Sequence, residues 1–252
     1  MSWMQGFRRV TTPVVRRLII INLVVWAVFQ LIIERIFHVS FTGIFALRPS
    51  MALYDWAIWQ PWTYMFLHAK ELTHILFNML MLWFLGCELE GRWGSRLFTF
   101  FYLMSGFGAA IIYCLGVAVY AMTTGNAEPL MVPVVGASGA IFGIMLAYGV
   151  LFGERELFFM GLFPMKAKVF VVLLGAIEVL SMLAAGGVGG EVANLAHLGG
   201  LASGWILLHG IRFYQQRQWK EKAKKKTSNL RLVVDNDSKN ETKKDNNPRY
   251  WN

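Results

Sequence analysis

Long apolar runs separated by short polar segments dominate this 252-residue chain. A helix that crosses a bilayer needs about 20 mostly apolar residues. Six segments approach that length, at residues 18–36, 72–89, 97–122, 135–152, 169–185 and 192–211. Small and polar residues interrupt several of them, which suits helix surfaces that face a bundle interior rather than lipid. The pattern therefore predicts an all-α polytopic membrane protein, a bundle of six transmembrane helices.

Composition agrees with this fold class. Charged residues make up 15% of the chain, against roughly 25% in a typical soluble domain. The net charge of +9 comes from the two ends of the chain. The basic residues there are Arg8, Arg9, Arg16, Arg17, Lys220, Lys222, Lys224, Lys225 and Lys226. Because nucleic-acid binding needs a basic face on a folded domain, we exclude a nucleic-acid partner and expect a lipid bilayer around the protein.

The apolar and basic segments divide the chain into one membrane domain, residues 18–213, between a basic N-terminal segment, 1–17, and a basic tail, 214–252. The first apolar run is long for a signal peptide and no small-x-small cleavage site follows it, so we interpret it as a retained anchor. The tail is rich in Lys, Asn, Asp and Ser, and we expect it to be disordered.

Basic residues also set the orientation, because cytoplasmic loops carry an excess of Lys and Arg. With both termini cytoplasmic, the basic residues left outside are Arg35, Arg48 and Lys70. Residues 37–71 then form an external loop with its own structure. The aromatic side chains that suit the headgroup level of the membrane are Trp56, Trp59, Trp62 and Tyr64. The short N-terminus without a transit extension favours a bacterial plasma membrane.

A serine between small residues begins the fourth apolar segment, in the sequence Gly136-Ala-Ser138-Gly139. Its hydroxyl is uncrowded, and another backbone can come close. Taken alone the motif is weak, since Gly139-x-x-x-Gly143 in a membrane helix is more often a packing motif than part of an active site. A second element is needed to interpret Ser138 as a nucleophile.

That second element lies in the sixth segment, where Ala196, Gly200 and Gly204 recur every four residues. Such a face permits near backbone contact with the Gly139 face of the fourth helix. His197 adjoins this face at the depth expected for Ser138, so its imidazole can act as general base. A membrane histidine is often only a structural hydrogen-bonding group, but ionisable residues at this depth are functional candidates.

A third element lies in the second segment, where His74 and Asn78 are four residues apart and share one side of the predicted helix. Both side chains can donate hydrogen bonds to the oxyanion of an acyl-transfer reaction. The alternative is that Asn78 only bonds to a neighbouring helix.

In this order, His-x-x-x-Asn, Gly-Ala-Ser-Gly and Ala-His-Leu-Gly-Gly resemble the rhomboid family of intramembrane serine proteases. The resemblance covers residues 17–213 and includes the segment from Gly86 to Glu90. It implies a six-helix rhomboid bundle with a Ser138–His197 dyad and no cofactor. It further implies an oxyanion hole made by His74, Asn78 and the backbone N–H of Ser138. Its remaining implications are that Phe142 packs on the catalytic imidazole and that the substrates are single-pass transmembrane proteins.

The chain departs from better-known members because its external loop lacks their Trp-Arg pair. No carboxylate lies at motif spacing from His197, since the nearest, Glu191, is six residues away. We therefore predict a dyad rather than a triad. Glu178 lies midway along the fifth segment, the helix thought to gate substrate entry in this family. For Glu178 we favour a structural or gating role.

Alternative functions remain open at this point. A rhomboid-like protein can bind transmembrane helices without cutting them, although such relatives usually lack the serine or the histidine. A haem protein could use His68, His74 and His197, but no second histidine pair is evident. A transporter would favour internal repeats, which the sequence does not contain. The cysteines, Cys87 and Cys114, lie in apolar runs without metal-ligand spacing, so we predict no metal site.

Overall fold

The computed structural model describes residues 11–159, 163–184 and 192–228, and they are mostly helical. Helix α1 (Pro13–Val24) continues as a π-helical segment (Val25–Ile33) and α2 (Glu34–Phe37). The loop of residues 37–71 holds α3 (Phe41–Phe45), α4 (Pro49–Tyr54), α5 (Gln60–Thr63) and a 3₁₀ turn (Tyr64–Phe66). The remaining elements are α6 (Leu72–Trp93), α7 (Ser95–Thr124), α8 (Glu128–Met131), α9 (Ser138–Leu151), β1 (Glu156–Phe159), β2 (Phe163–Lys166), α10 (Ala167–Ala184) and α11 (Val192–Ser228).

Four helical segments in the described ranges are long and apolar enough to cross a membrane. They are Pro13–Phe37, Leu72–Trp93, Ser95–Thr124 and Ala167–Ala184, and Ser138–Leu151 is a shorter apolar helix. Large apolar side chains on their outer faces are exposed, among them Val172 of α10, with 70% of its surface accessible. Exposed apolar surface on this scale is a liability in water and suits lipid.

Helix α9 is the centre of the described fold and packs against α6, α7 and α10. Nearly every position along it is buried, including Ala140, Ile144 and Ala147. A helix of 14 residues is about 21 Å long at 1.5 Å per residue. It is therefore shorter than the roughly 30 Å bilayer core, and its ends can lie within the membrane depth.

Glu90, near the end of α6, fixes the start of α1. Its carboxylate accepts hydrogen bonds from the backbone N–H groups of Val14 and Val15, at 3.0–3.1 Å, and from the Ser95 hydroxyl. The first N–H groups of a helix have no partners within the helix, and the N-terminal end of its dipole favours an anion. Glu90 thus ties the first helix to the α6–α7 corner.

The loop of residues 37–71 is folded, and one of its aromatic residues, Tyr64, is not at the surface. Trp56 is 81% exposed, whereas Tyr64 is only 1% exposed. The Tyr64 hydroxyl donates to the carbonyl oxygen of Gly106 at 2.8 Å, and burial raises the pKa of Tyr64 well above its usual value. Tyr64 therefore packs inside the fold, where its hydroxyl has a hydrogen-bond partner.

Two further features differ from the sequence prediction. An antiparallel pair, β1 and β2, joins α9 to α10, with Glu156 opposite Lys166. Glu154 forms ion pairs with Lys166 and Lys168 at this connection, and these contacts lower the pKa of Glu154 to about 2.

The second difference is that α11 continues to Ser228, so residues 214–228 of the predicted disordered tail are helical. Among the described residues, those from Ile211 onwards form a unit of contacts separate from those up to Gly210. The helical stretch is rich in Gln, Lys and Arg, which are good helix formers, and includes an Arg217–Glu221 pair at i,i+4 spacing. The rest of the predicted tail, the first ten residues and Glu191 lie outside the described residues.

Candidate active site

Helices α9 and α11 are in close contact through glycines. A Cβ atom added to Gly204 would lie 2.7 Å from the Cα of Gly143. One turn away, a Cβ on Gly200 would overlap the carbonyl group of Gly139. The absence of side chains at these positions lets the two backbones touch, so that residues beside this seam are held at fixed separations.

Ser138 and His197 lie beside this seam. The Nε2 atom of His197 is 2.8 Å from the Oγ atom of Ser138, a hydrogen-bonding distance. The imidazole ring also stacks on Phe142, one turn along α9 from the serine, with ring centroids 4.4 Å apart and planes 7° from parallel. The serine is thus paired with a potential base whose ring is held flat against an aromatic side chain.

His74 approaches the same serine from α6. The backbone N–H of Ala69 donates to His74 Nδ1 at 3.1 Å, so a neutral His74 carries its proton on Nε2. Gly136 precedes the serine with a φ of 126°, in the region that favours glycine. A Cβ on Gly136 would lie 3.1 Å from His74 Nε2. The free N–H of His74 therefore points towards the turn that begins α9.

Asn78 follows His74 by one turn and is buried. Its side-chain amide donates to the carbonyl oxygen of His74 at 2.8 Å. An amide carries two N–H donors, so this bond leaves one of them for the cavity described below.

A cavity of about 980 Å³ contains Ser138 and His197 together with His74 and Asn78. Its other walls are mostly apolar and come largely from α6 and α10, with further residues from α9, β1 and β2. The residues on these walls include Phe77, Met81, Phe84, Phe170 and Leu174. Concave, mostly apolar cavities with a few convergent polar groups are typical ligand sites.

His68 lies behind His74 and is only 1% exposed. Gln30, in the π-helical segment, holds its backbone: its amide donates to the His68 carbonyl at 2.8 Å, and its carbonyl accepts from the His68 N–H at 2.9 Å. Burial lowers the pKa of His68 to about 3, with a further contribution from His74, whose ring centroid is 5.4 Å away. His68 is therefore neutral and supports the loop behind His74.

Glu178 is the site residue whose position the sequence did not predict. Its Oε1 atom lies 3.1 Å from Nδ1 of His197, on the side of the ring away from the serine. The one available signal was that Glu178 is the sole acidic residue of α10. A carboxylate inside an apolar helix usually has a partner, but sequence spacing cannot identify that partner on another helix.

The described residues contain no cluster of three or more His, Cys, Asp or Glu side chains arranged to hold a metal ion. The candidate site brings a serine, two histidines and an asparagine together at a largely apolar cavity, with Glu178 behind the His197 ring.

Comparison with known proteins gives consistent matches. The family model described as the rhomboid domain matches residues 55–212. The chain is 33% identical to RHOMBOID-like protein 1 of Arabidopsis thaliana over 162 residues, which are 64% of this chain and 36% of that protein. It is 31% identical to the putative rhomboid protease YdcA of Bacillus subtilis over 199 residues, 77% of this chain and 86% of YdcA. For the rhomboid protease GlpG of Serratia proteamaculans the identity is 32% over 155 residues, 60% and 47% of the two chains.

Proposed function

Because the chain belongs to the rhomboid family, which has members named as proteases, we propose that it is an intramembrane serine endopeptidase. Its substrates are transmembrane segments of single-pass membrane proteins. The observation that carries the proposal is the 2.8 Å contact between Ser138 Oγ and His197 Nε2 inside an apolar cavity.

The proposed reaction is acyl transfer. The Ser138 oxygen attacks the carbonyl carbon of the scissile peptide while His197 Nε2 accepts the hydroxyl proton. The negative charge of the tetrahedral intermediate develops on the former carbonyl oxygen. As the carbon–nitrogen bond breaks, His197 donates the proton to the leaving amine. In the second half of the reaction His197 takes a proton from a water molecule that attacks the acyl-enzyme, and returns it to the Ser138 oxygen as the ester bond breaks.

Three donors are proposed for the oxyanion. The backbone N–H of Ser138 is free of an intrahelical partner because it belongs to the first turn of α9. His74 contributes its Nε2–H, whose protonation follows from the acceptor role of its Nδ1. Asn78 contributes its second amide N–H. Removing one such donor typically costs about a hundred- to a thousandfold in rate.

The proposed membrane arrangement completes a six-helix bundle over residues 18–213. Four of its spans meet the length and composition of a membrane helix, and α9 and the first part of α11 are the other two. Both termini are then cytoplasmic, in a bacterial plasma membrane, with the basic segment 1–17 and the tail 214–252 on the inner side. The shortness of α9 supports a position of Ser138 below the outer surface, where a transmembrane segment can reach it.

The apolar cavity walls support a transmembrane substrate over a soluble one. Phe77 and Phe84 of α6 and Leu174 of α10 line the cavity, so a segment that enters between these helices meets apolar side chains. The chain matches only 36% of the length of RHOMBOID-like protein 1.

The test is cleavage by purified protein in lipid vesicles. A fluorescent single-pass substrate is co-reconstituted, and mass spectrometry maps the cut. The parental protein and Ser50→Ala, a serine change in the external loop, should cut the substrate within its membrane segment, and Ser138→Ala should not. A parental protein that binds the substrate without cutting it would overturn the proposal in favour of a non-proteolytic helix binder.

A further inference from the structure

Glu178 and His197 meet within the described bundle. The Oε1–Nδ1 distance is 3.1 Å, with 13% of the glutamate side chain and 20% of the histidine side chain exposed. Helix α10 supplies the carboxylate and α11 the imidazole. These two residues are 19 positions apart in sequence (197 minus 178), so only the packing of the two helices brings them together.

The helix register supports this contact. One turn from Glu178, Gly175 faces α11, and a Cβ added there would lie 3.4 Å from the Leu201 side chain. Leu201 in turn is one turn from His197. Two successive contacts, Glu178 with His197 and Gly175 with Leu201, therefore lie at matched levels of two antiparallel helices. The carboxylate position follows from helix packing and not from a single flexible side chain.

The imidazole has three neighbours, each in a different direction. Phe142 covers one face, Ser138 contacts Nε2 and Glu178 approaches Nδ1. Among the described residues, Nδ1 has no other hydrogen-bond partner, and its contact with Glu178 lies at hydrogen-bonding distance without the required angles. The second carboxylate oxygen of Glu178 has no hydrogen-bond partner there either. Catalytic hydrogen bonds in unliganded sites are often poorly aligned and tighten when substrate binds.

General-base catalysis by His197 depends on which nitrogen of its ring carries the hydrogen. His197 can accept the serine proton at Nε2 only as the tautomer that carries its hydrogen on Nδ1. A carboxylate acceptor at Nδ1 stabilises that tautomer, fixes the ring orientation and stabilises the imidazolium that forms after proton transfer. In soluble hydrolases an acidic residue does this from the same side of the imidazole.

We propose that Glu178 is a positioning residue that holds His197 in the tautomer and orientation needed to accept the Ser138 proton, an inference that rests on the proposed protease function. It replaces the dyad expected from sequence with a Ser138–His197–Glu178 arrangement. Because Glu178 belongs to α10, a wall of the substrate cavity, the arrangement is complete only while α10 is packed against α11.

Two chemically conservative changes test the role. Glu178→Gln keeps the shape and removes the charge, and Glu178→Asp keeps the charge on a shorter side chain. Glu128→Gln makes the first change at an exposed residue of the external surface and serves as the matched control. Melting temperatures in detergent show that each variant is folded.

The decisive readout is the rate at which a small fluorophosphonate labels Ser138. A probe of this size reaches the serine without a transmembrane helix passing α10, so its rate reports activation of the nucleophile and not substrate entry. General-base catalysis raises a reaction rate about 10²- to 10⁴-fold, and a misoriented base loses part of this rate increase. We expect Glu178→Gln to slow labelling by about ten- to a hundredfold, Glu178→Asp to label faster than Glu178→Gln, and Glu128→Gln to match the parent.

Substrate kinetics and spectroscopy complete the test. With a transmembrane substrate, kcat should fall in Glu178→Gln while KM stays within about twofold, because the change affects the transition state more than binding. In ¹⁵N-histidine-labelled protein at about pH 9, where imidazoles are neutral, the His197 signal should report the Nδ1–H tautomer. A Glu178→Leu variant should shift it towards Nε2–H. The signal is assigned by its loss in His197→Ala.

The outcomes separate the two proposals. A parental protein that the probe does not label at Ser138 overturns the protease function itself. If the parent is labelled at Ser138 and folded Glu178→Gln and Glu178→Asp both label at the parental rate, only the positioning role is overturned. Slower cleavage of the transmembrane substrate with unchanged probe labelling also overturns it, because Glu178 would then act in gating.

Discussion

Gly200 of α11 lies directly against the carbonyl group of Gly139 in α9, with no room for a Cβ atom between them. The contact fixes the separation of the two helices one turn from His197. We predict that Gly200→Ala lowers the free energy of unfolding by about 1–3 kcal/mol or more, the usual cost of overpacking. Cleavage should fall with it, because the helices must separate. Thermal denaturation in detergent and the vesicle cleavage assay measure the two effects.

Gly210→Ala is the matched control in the same helix, because no atom lies within 4 Å of a Cβ placed there. Alanine is favoured over glycine in a helix by up to about 1 kcal/mol. This variant should therefore be as stable as the parent or more so, and fully active. Equal melting temperatures for Gly200→Ala and Gly210→Ala would contradict the close packing of α9 on α11.

Asn78→Ala tests the proposed oxyanion hole. The change removes one donor and leaves the Ser138 N–H and His74, so cleavage should slow by about a hundred- to a thousandfold without being abolished. The helix should remain folded, since the bond lost is a local one to the His74 carbonyl. Asn126→Ala, in the exposed loop before α8, is the control. If Asn78→Ala cleaves at the parental rate, Asn78 is not an oxyanion donor, and its role is limited to the structural bond with the His74 carbonyl.

Much of this architecture could be predicted from sequence because it depends on local pattern. Apolar run length places the helices, and four-residue spacing places the small residues of α9 and α11 on single faces. Glu178 could not be paired with His197, because nothing local relates the rotations of α10 and α11. The burial of Tyr64 could not be predicted for the same reason: its partner, the carbonyl of Gly106, is 42 residues away.

The orientation inferred from basic residues can be tested by cysteine labelling. In a background with Cys87→Ala and Cys114→Ala, a membrane-impermeant maleimide added to intact cells should modify Asp55→Cys and spare Lys220→Cys. Both positions are exposed, so both should react after the membrane is dissolved. Labelling of Lys220→Cys alone in intact cells would reverse the orientation and place the catalytic cavity near the inner face.

His68 gives the protein a pH-dependent stability. Burial lowers the pKa of its imidazole from 6.5 to about 3, so below pH 6.5 the unfolded chain binds a proton that the folded protein does not. The contribution of neutral His68 to the free energy of unfolding is fully present above pH 6.5. It is lost as pH falls towards 3, by up to about 1.4 kcal/mol for each pH unit.

Unfolding measured in detergent between pH 4 and pH 7 should therefore show a shallower pH dependence in His68→Gln than in the parent. His209→Gln makes the same change on an exposed side chain and should keep the parental slope. A parental slope in His68→Gln would assign the acid sensitivity to other groups.

Single and double substitutions of Ser138 and His197 test whether the two residues act as one catalytic unit. A serine hydroxyl is a poor nucleophile until a base takes its proton. The base therefore gives no catalysis without the serine, and the serine gives almost none without the base. Ser138→Ala and His197→Ala should each reduce cleavage to background. Because residues that act as one unit are strongly non-additive, the double variant should be no slower than either single variant.

Fluorophosphonate labelling should also fall in His197→Ala although the serine is still present. Additive losses, or labelling at Ser105 or Ser203 instead of Ser138, would mean that the 2.8 Å contact is structural and that the α9–α11 seam serves packing alone.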